Sequence, residues 1–446
     1  MKTLTGCVTS LTLTVAGIFC VASVQGQSLH TPTRYDRFIP TRGAPPEAPA
    51  RLLPTDTTKP GKTGYDFKTN GYARQGPEFD KITEDNVDPL GSYNEARFVF
   101  EEVERQDDGV GPVYNAQSCR ECHQNVVTGG ASQVLVQRTG HTENGIFYES
   151  LGGSLIQSRA TYPDIVEHVV DTDETRAFRI SPAGLGDGYV ECIADSTLLA
   201  IRDGQPPDKQ GLAPEVPVLE GDGSARIGRF GWKAQHASLV SFAADAYVNE
   251  MGITSPLFPD ENTSSGKYVG YGTEYDPVPD PEDDGTDVEA FALFLRSTTA
   301  PARGQITNDV RLGENRFNQV GCAVCHVSSI VTAPAGTPIN GGAFAVPNAL
   351  GDRLIHPYSD FLLHDVGTGD GIPILPLPDY ADTANKMKTA PLWGLRTRNR
   401  LMHDGLSSTL YDAIERHAGQ AADSVAQFNA LTDDDKALVY AFLNSL

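Results

Sequence analysis

The chain has 446 residues, a hydrophobic fraction of 39% and a formal net charge of −23. Its length and apolar content allow two or three domains with a sizeable core. The acidic balance argues against nucleic acid or an anionic membrane surface as a partner, because both attract positive charge. Any charged partner is therefore expected to be basic.

Residues 1–26 have the pattern of a secretory signal peptide, with Lys2, an apolar run to about Val24 and small residues before a cut after Gly26. An uncleaved anchor helix is the alternative. No later stretch is apolar enough to span a bilayer, so we predict a periplasmic protein with no transmembrane segment in its mature chain. Residues 27–90 are rich in Pro, Gly, Thr and Asp and predict an irregular leader lying over the surface.

Two C-x-x-C-H units account for most cysteines of the mature chain, whereas exported proteins normally use cysteines as spaced disulfide pairs. This unit is the attachment signature of c-type haem, in which two thiols bond to the porphyrin and the histidine ligates the iron. We therefore predict two covalently bound haem c groups. The units consist of Cys119, Cys122 and His123, and of Cys322, Cys325 and His326.

Two other interpretations of the units are weaker. A zinc site needs both C-x-x-C halves at one metal, but the units are far apart in sequence and each carries a histidine that zinc ribbons do not require. A pair of redox dithiols is the second alternative. Cys192 lies outside the units in an apolar, helix-like stretch and is predicted to be a buried apolar side chain.

Helical spacing of apolar residues appears in chain order at Ser92–Gln106, before the first unit, and at Asp287–Ser297. The second half repeats this plan, with a helix before the second unit and a closing helix over Thr432–Leu446 whose cap is Thr432. We therefore predict a mainly α fold. Its parts are an N-terminal cytochrome c-like haem domain at 91–300 and a C-terminal cytochrome c domain at 301–446, joined by long irregular loops.

A short internal repeat links the two halves. The segments "WKAQHASL" and "HDGLSSTL" share a bulky first residue, a hydroxyl residue six positions later and a leucine that opens a helix. Seven positions after this leucine stands Ala246 in the first copy and His417 in the second. The repeat therefore suggests two haems with different coordination.

These stretches resemble the bacterial di-haem cytochrome c peroxidase superfamily, and most closely its di-haem oxidoreductase (thiol oxidoreductase-like) branch. The resemblance covers about Ser92 to Leu446. It rests on the segments "NAQSCRECHQNVVTGGASQ", "GGSLIQSRA", "IGRFGWKAQHASL", "NEMGITSPLFP", "GCAVCH", "PYSDFLLHDVG" and "APLWGLRTRNRLMHDGLSSTLYDAIERHAGQA".

The resemblance implies a role for several further residues. Trp232 stands where the peroxidases have a tryptophan between their haems, and His141 stands near the place of their detachable distal histidine. His417 occupies the ligand position that is usually methionine, a change that should lower the reduction potential of the second haem. Glu250 falls near the catalytic glutamate, and Phe242 replaces a glutamine of the peroxidase pocket.

The function expected from this resemblance is reduction of peroxide, or of another small oxidant, at the N-terminal haem. Electrons would come through the C-terminal haem from a small redox protein of the cytochrome c or cupredoxin kind. The alternative is a non-enzymatic di-haem electron carrier, and a third possibility is oxidative modification of another protein. The peroxidases also hold a calcium ion between their domains, and the abundant aspartates here neither support nor exclude one.

Overall fold

The computed structural model describes residues 66–71, 79–82 and 90–446. The predicted signal peptide and most of the predicted leader lie outside these residues. The α-helices are α1 (Leu90–Glu101), α2 (Cys119–Cys122), α3 (Asp187–Glu191), α4 (Asp195–Gly204), α5 (Leu239–Ala246), α6 (Thr286–Arg296), α7 (Asn308–Gln319), α8 (Leu410–Glu415), α9 (Ala422–Asn429) and α10 (Asp433–Leu443).

Short antiparallel strands connect these helices. The strands are β1 (Val113–Tyr114), β2 (Leu135–Glu143), β3 (Ile146–Glu149), β4 (Arg159–Ala160), β5 (Thr175–Ile180), β6 (Glu215–Pro217), β7 (Ala225–Ile227), β8 (Ile330–Val331), β9 (Pro338–Ile339), β10 (Phe344–Ala345), β11 (Leu354–Ile355), β12 (Leu363–His364) and β13 (Met387–Lys388).

The prediction of a mainly α fold is wrong. Helices make up 32% and strands 15% of the structure. The largest sheet has the order β3-β2-β5, in which Leu135 pairs with Ile180 and Gly140 with Glu149. The physical reason is that segments between the helices satisfy their backbone groups by pairing in short ladders rather than by remaining irregular.

The predicted helices before and after the first unit are present, and they pack together. Helix α1 contacts α6, and α6 also contacts α5. Phe100 of α1 meets Phe291 edge-on at 6.0 Å and Phe294 at 4.8 Å, so aromatic rings fill this core. Cys192 is fully buried in the same cluster, which confirms its predicted apolar role.

The two predicted helices that frame the second unit are present and cross closely. Helix α10 packs on α7, and Phe317 and Phe442 lie 5.2 Å apart between them. Thr432 caps α10 by accepting a hydrogen bond from the backbone N–H of Asp435, so the predicted cap is confirmed.

Both copies of the internal repeat begin a helix as predicted. Ser238 caps α5 by accepting from the N–H of Ser241, and Thr409 caps α8 by accepting from that of Asp412. After the caps the copies diverge. Helix α5 continues into a π-helical turn at Tyr247–Met251, whereas α8 ends two residues before His417.

The described part of the predicted leader is anchored in the core rather than laid over the surface. Asn70 is fully buried and donates from Nδ2 to the carbonyl of Pro301 at 2.7 Å, and Arg303 donates from Nε to the carbonyl of Asn70 at 2.9 Å. Among the described residues, no helix is both long and apolar enough to cross a membrane. The domain boundary near residue 300 stays a prediction.

Candidate haem centres

The second C-x-x-C-H unit lies on one wall of a cavity of about 220 Å³. Gly321 adopts a left-handed conformation with φ of 88°, which turns the chain from α7 into a 3₁₀ turn at Cys322–Val324. The N–H of His326 donates to the carbonyl of Cys322 at 3.0 Å and closes the turn. Because the unit is wound this tightly, Cys322, Cys325 and His326 all line the same cavity.

Two imidazoles in this cavity are held in the same way. Nδ1 of His326 lies 2.9 Å from the carbonyl of Tyr358, and Nδ1 of His417 lies 2.7 Å from the carbonyl of Ala413. A carbonyl can only accept, so each Nδ1 carries the proton and each Nε2 keeps its lone pair, as metal-ligating histidines require. Both rings line the cavity.

Desolvation keeps both imidazoles neutral. It lowers the pKa of His326 to about 4, an effect that the hydrogen bond to Tyr358 opposes and nearby His417 reinforces. It also lowers the pKa of His417. Two neutral imidazoles that line one cavity are suited to ligate one iron.

The rest of the cavity combines an apolar lining with buried positive charge. Apolar side chains such as Phe317, Phe428 and Leu443 line it, as do the cationic Lys388 and Arg398. Removal from water lowers the pKa of Lys388 to about 8, against the charge of Asp187. An apolar porphyrin with anionic propionates needs both properties, so the residues present fit a haem.

The first C-x-x-C-H unit has a matching local structure. Ser118 caps α2 by accepting from the N–H of Arg120, and the N–H of His123 donates to the carbonyl of Cys119 at 2.9 Å. Nδ1 of His123 lies 3.1 Å from the carbonyl of Gly130, so its Nε2 is again the nitrogen with the lone pair. His123, His326 and His417 therefore share one tautomer.

None of the four cysteines of the two units forms a disulfide in the described chain. Desolvation raises the pKa of Cys122 and of Cys322 to about 12 each. Reactive dithiols have lowered pKa values, so this environment disfavours the redox-dithiol interpretation.

Glu250 is placed beside the first unit. Its Oε2 accepts from Nδ2 of Asn115 at 3.0 Å, and its charge is among the causes that raise the pKa of Cys122. The N–H groups of Asn115 and Ala116 donate to the Glu250 carbonyl at 2.7 and 2.9 Å. Desolvation raises the pKa of the Glu250 carboxyl, and the charge of Arg138 partly opposes that rise.

Arg138 is a residue that the sequence analysis missed. It lies on β2, donates from Nη1 to Oγ of Ser154 at 3.1 Å, and its Nε is shielded from solvent without a hydrogen-bond partner in the described chain. The available signal was the alternation of side chains along "LVQRTGHTE", which distinguishes the two faces of a strand.

His141 lies on the same strand but three positions away, so its side chain is on the opposite face of the sheet from that of Arg138. Its ring stacks on Tyr148 at 5.5 Å, and its Nδ1 is 3.6 Å from Oδ1 of Asp173. These contacts involve none of the residues of the first unit. Its role as a distal ligand stays a prediction.

Trp232 lies in the wall that connects the two units. Its Nε1 donates to the carbonyl of Ile180 at 2.7 Å, its ring meets that of His403 edge-on at 6.1 Å, and it lines the cavity of the second unit. The same strand end continues to Pro182, which lines this cavity and whose backbone lies close enough to the imidazole of His123 to influence its pKa. The structure therefore brings Trp232 to the second unit directly and to the first through the Ile180–Pro182 segment.

His364 lies beside the second unit, whereas Phe242 lies in the core around α5. His364 is held between Oδ2 of Asp360 at 2.8 Å and Sγ of Cys325 at 3.8 Å, so both of its nitrogens are engaged beside the second unit. Phe242 stacks on Phe230 at 5.9 Å and belongs to the core packing around α5.

A family model described as "Di-haem oxidoreductase, putative peroxidase" matches residues 156–446. The match includes the second unit, Trp232, Glu250 and His417, and the first unit precedes it. No curated protein matches the chain.

Three solved structures are similar over most of the chain at low identity. A MauG-like protein associated with microbial copper homeostasis has 13% identity and a TM-score of 0.36, covering 84% of this chain and 95% of its own. The diheme peroxidase BthA from Burkholderia thailandensis has 14% identity and a TM-score of 0.40, covering 92% and 94%. Hydrazine synthase from Kuenenia stuttgartiensis has 14% identity and a TM-score of 0.33, covering 91% and 99%.

Proposed function

We propose, because this chain belongs to the di-haem oxidoreductase family, that it is an exported c-type cytochrome. In this proposal it reduces peroxide at the first unit with electrons relayed from the second. The family implies two haem groups and oxidoreductase chemistry. Covalent attachment through the four unit cysteines, export to the periplasm and a peroxide substrate are the finer parts of the proposal.

The observation that carries the proposal is the unequal surroundings of the two units. The second unit has two tethered neutral imidazoles, His326 and His417, in one cavity. The carboxyl of Glu250 lies beside the first unit, and desolvation raises its pKa. Two imidazoles suit a closed iron that only transfers electrons, whereas one imidazole with an acid–base group suits an iron that meets a substrate.

When bound, haem supplies the electrons and the Lewis acid needed to break an O–O bond. Glu250 accepts a proton from the near oxygen of a peroxide and returns it to the far oxygen, a transfer for which a raised carboxyl pKa is suited. The amide of Asn115, hydrogen-bonded to Oε2, orients the carboxyl, and the charge of Arg138 favours its ionised form. Trp232, which lines the cavity of the second unit and donates to the carbonyl of Ile180, is the proposed relay.

Ligand-binding spectroscopy tests the proposal. The protein is made in a host that matures c-type cytochromes, and cyanide is added to the fully and the half-reduced forms. We expect two added macrocycles by mass spectrometry, a cyanide shift of one haem only, and peroxide-dependent oxidation of a reduced small donor.

The variant in which Cys322 and Cys325 are both changed to alanine identifies the responsive haem. It should retain one haem that still shifts with cyanide. Two haems that both ignore cyanide, with no peroxide-dependent turnover, would instead support the electron-carrier alternative.

A further inference from the structure

A group of four carboxylates gathers in the long loop between the π-helical turn and α6. Glu261, Asp276, Asp280 and Glu282 each offer an oxygen, and these oxygens all lie within 4.8 Å of one another. They are spread from position 261 to 282, so their convergence is a product of the fold. The cluster is separate from both C-x-x-C-H units.

The oxygens at the centre of this carboxylate cluster are buried without hydrogen-bond donors. Asp276 is only 6% exposed, and its Oδ2 is shielded from solvent with no partner. Both carboxylate oxygens of Glu261 and Oε1 of Glu282 share this condition. A buried anionic oxygen without a donor costs several kcal/mol, on the order of the desolvation of the group, unless a cation binds to it.

The charges in the cluster reinforce one another. Burial raises the pKa of Glu261 to about 10, and the neighbouring Glu282, Asp280 and Asp276 add to the rise. The protein alone therefore holds these four groups together at an electrostatic cost. A positive ion at their centre would reverse that cost.

Asp276 and Glu282 each accept hydrogen bonds through one carboxylate oxygen, and the second oxygen of each has no partner. Oδ1 of Asp276 accepts from the N–H of Val278 at 3.0 Å. Oε2 of Glu282 accepts from the backbone N–H of Thr254 at 2.8 Å and also from its hydroxyl. Gly109 makes room for this arrangement, because a Cβ there would lie 2.6 Å from the Glu282 side chain. The unpartnered oxygens, Oδ2 and Oε1, are thus held in place before any ligand arrives.

We propose that Glu261, Asp276, Asp280 and Glu282 bind one calcium ion. All four ligands are hard oxygen donors, and four carboxylates in one loop suit the six to eight oxygens that calcium takes better than the mostly hydrated sphere of magnesium. The ion would tie the loop that precedes α6 to Thr254, four positions after Glu250. The site does not depend on the proposed peroxidase function.

Calorimetric titration of the haem-loaded protein with calcium chloride, after treatment with a chelator, tests the site. We expect Glu261→Gln and Asp276→Asn to bind one calcium ion fewer than the wild type, or to bind it at least about tenfold more weakly. Glu274→Gln is the matched control, because Glu274 is an exposed carboxylate of the same loop outside the cluster. Equal calcium binding by the wild type and Glu261→Gln would overturn the proposal.

Thermal unfolding distinguishes lost binding from a damaged fold. In chelator, Glu261→Gln should unfold at the same temperature as the wild type or higher, because the change removes like-charge repulsion. Calcium should then raise the unfolding temperature of the wild type and leave that of the variant in place. If Glu261→Gln lowers the unfolding temperature equally with and without calcium, the cluster is a network of protonated carboxyls and the proposal fails.

Discussion

At the scale of single residues, the acid–base behaviour of Glu250 depends on three neighbours with opposing effects. Desolvation raises the pKa of its carboxyl, and Asp245 adds to the rise. Arg138 and the amide of Asn115 oppose it. The pKa of the Glu250 carboxyl is therefore higher than that of an ordinary glutamate, while Arg138 and Asn115 still favour its ionised form. A proton shuttle needs both forms to be accessible.

The change Glu250→Gln keeps the size of this side chain and removes its proton chemistry. We expect the rate of peroxide reduction to fall by about 10²–10⁴-fold, the usual contribution of one general acid–base group. Haem content and the optical spectrum of the second haem should stay as in the wild type. Stopped-flow oxidation of the reduced protein by hydrogen peroxide measures the rate.

The pH dependence of the same rate gives an independent check. The shuttle first accepts a proton, so its active form is the carboxylate, and the raised pKa means that this form is lost at a higher pH than for an ordinary glutamate. The wild-type rate should therefore fall as the pH drops through that raised value, and the fall should vanish in Glu250→Gln. Glu143→Gln, at an exposed position of β2, should behave as the wild type; a normal rate in Glu250→Gln would exclude the shuttle.

At the scale of secondary structure, the crossing of α7 and α10 holds the second unit against the C-terminal core. Gly313 permits this crossing, because a Cβ there would lie 1.9 Å from the carbonyl oxygen of Leu438 and 2.8 Å from Cβ of Phe442. The nearest obstacle is backbone, which cannot move aside as a side-chain tip can. One missing methyl group thus sets the distance between the two helices.

Gly313→Ala should force these helices apart, at a cost on the order of 1–3 kcal/mol for overpacking. We expect a lower thermal midpoint for loss of the second haem's absorbance. Gly204→Ala is the matched control, since Gly204 ends α4 with nothing within 4 Å of an added Cβ. An unchanged midpoint in Gly313→Ala would mean that the crossing is looser than the structure indicates.

The elements that sequence patterns predicted are those whose cause is local. Thr432, Ser238 and Thr409 each cap a helix within four residues of themselves, and apolar spacing marks the helices that follow. The tight turn of each C-x-x-C-H unit is local in the same sense. Strand β2 was missed because its pairing partners lie on β3 and β5, so its sequence alone resembles a loop.

The parts of the sites that sequence patterns did not predict arise from packing between distant segments. Arg138 acts on Glu250 across more than a hundred positions of chain, and the four carboxylates of the calcium proposal come from separate turns of one loop. His141 stacks on Tyr148, on the opposite face of β2 from Arg138, and its role as a distal ligand stays a prediction. The sequence spacing of two residues shows whether their side chains face one another only when the backbone conformation between them is known.

At the scale of the whole molecule, the net charge of −23 sets how a redox partner approaches. We propose that the donor is a small basic redox protein of the cytochrome c or cupredoxin kind. Charge complementarity of this sort raises association rates by about 10–10³-fold at low salt. Salt removes the advantage, because the Debye length shrinks from about 30 Å at 0.01 M to about 3 Å at 1 M.

We therefore expect the second-order rate constant for reduction by a basic cytochrome c to fall by at least about tenfold between 0.01 M and 0.5 M salt. Reduction by a neutral quinol serves as the control, because its rate should hardly change over this range. An acidic donor of similar potential should react more slowly at low salt and faster as salt rises. If the rate constant with the basic donor does not change with salt, the acidic surface takes no part in docking, because salt would weaken any attraction between exposed opposite charges.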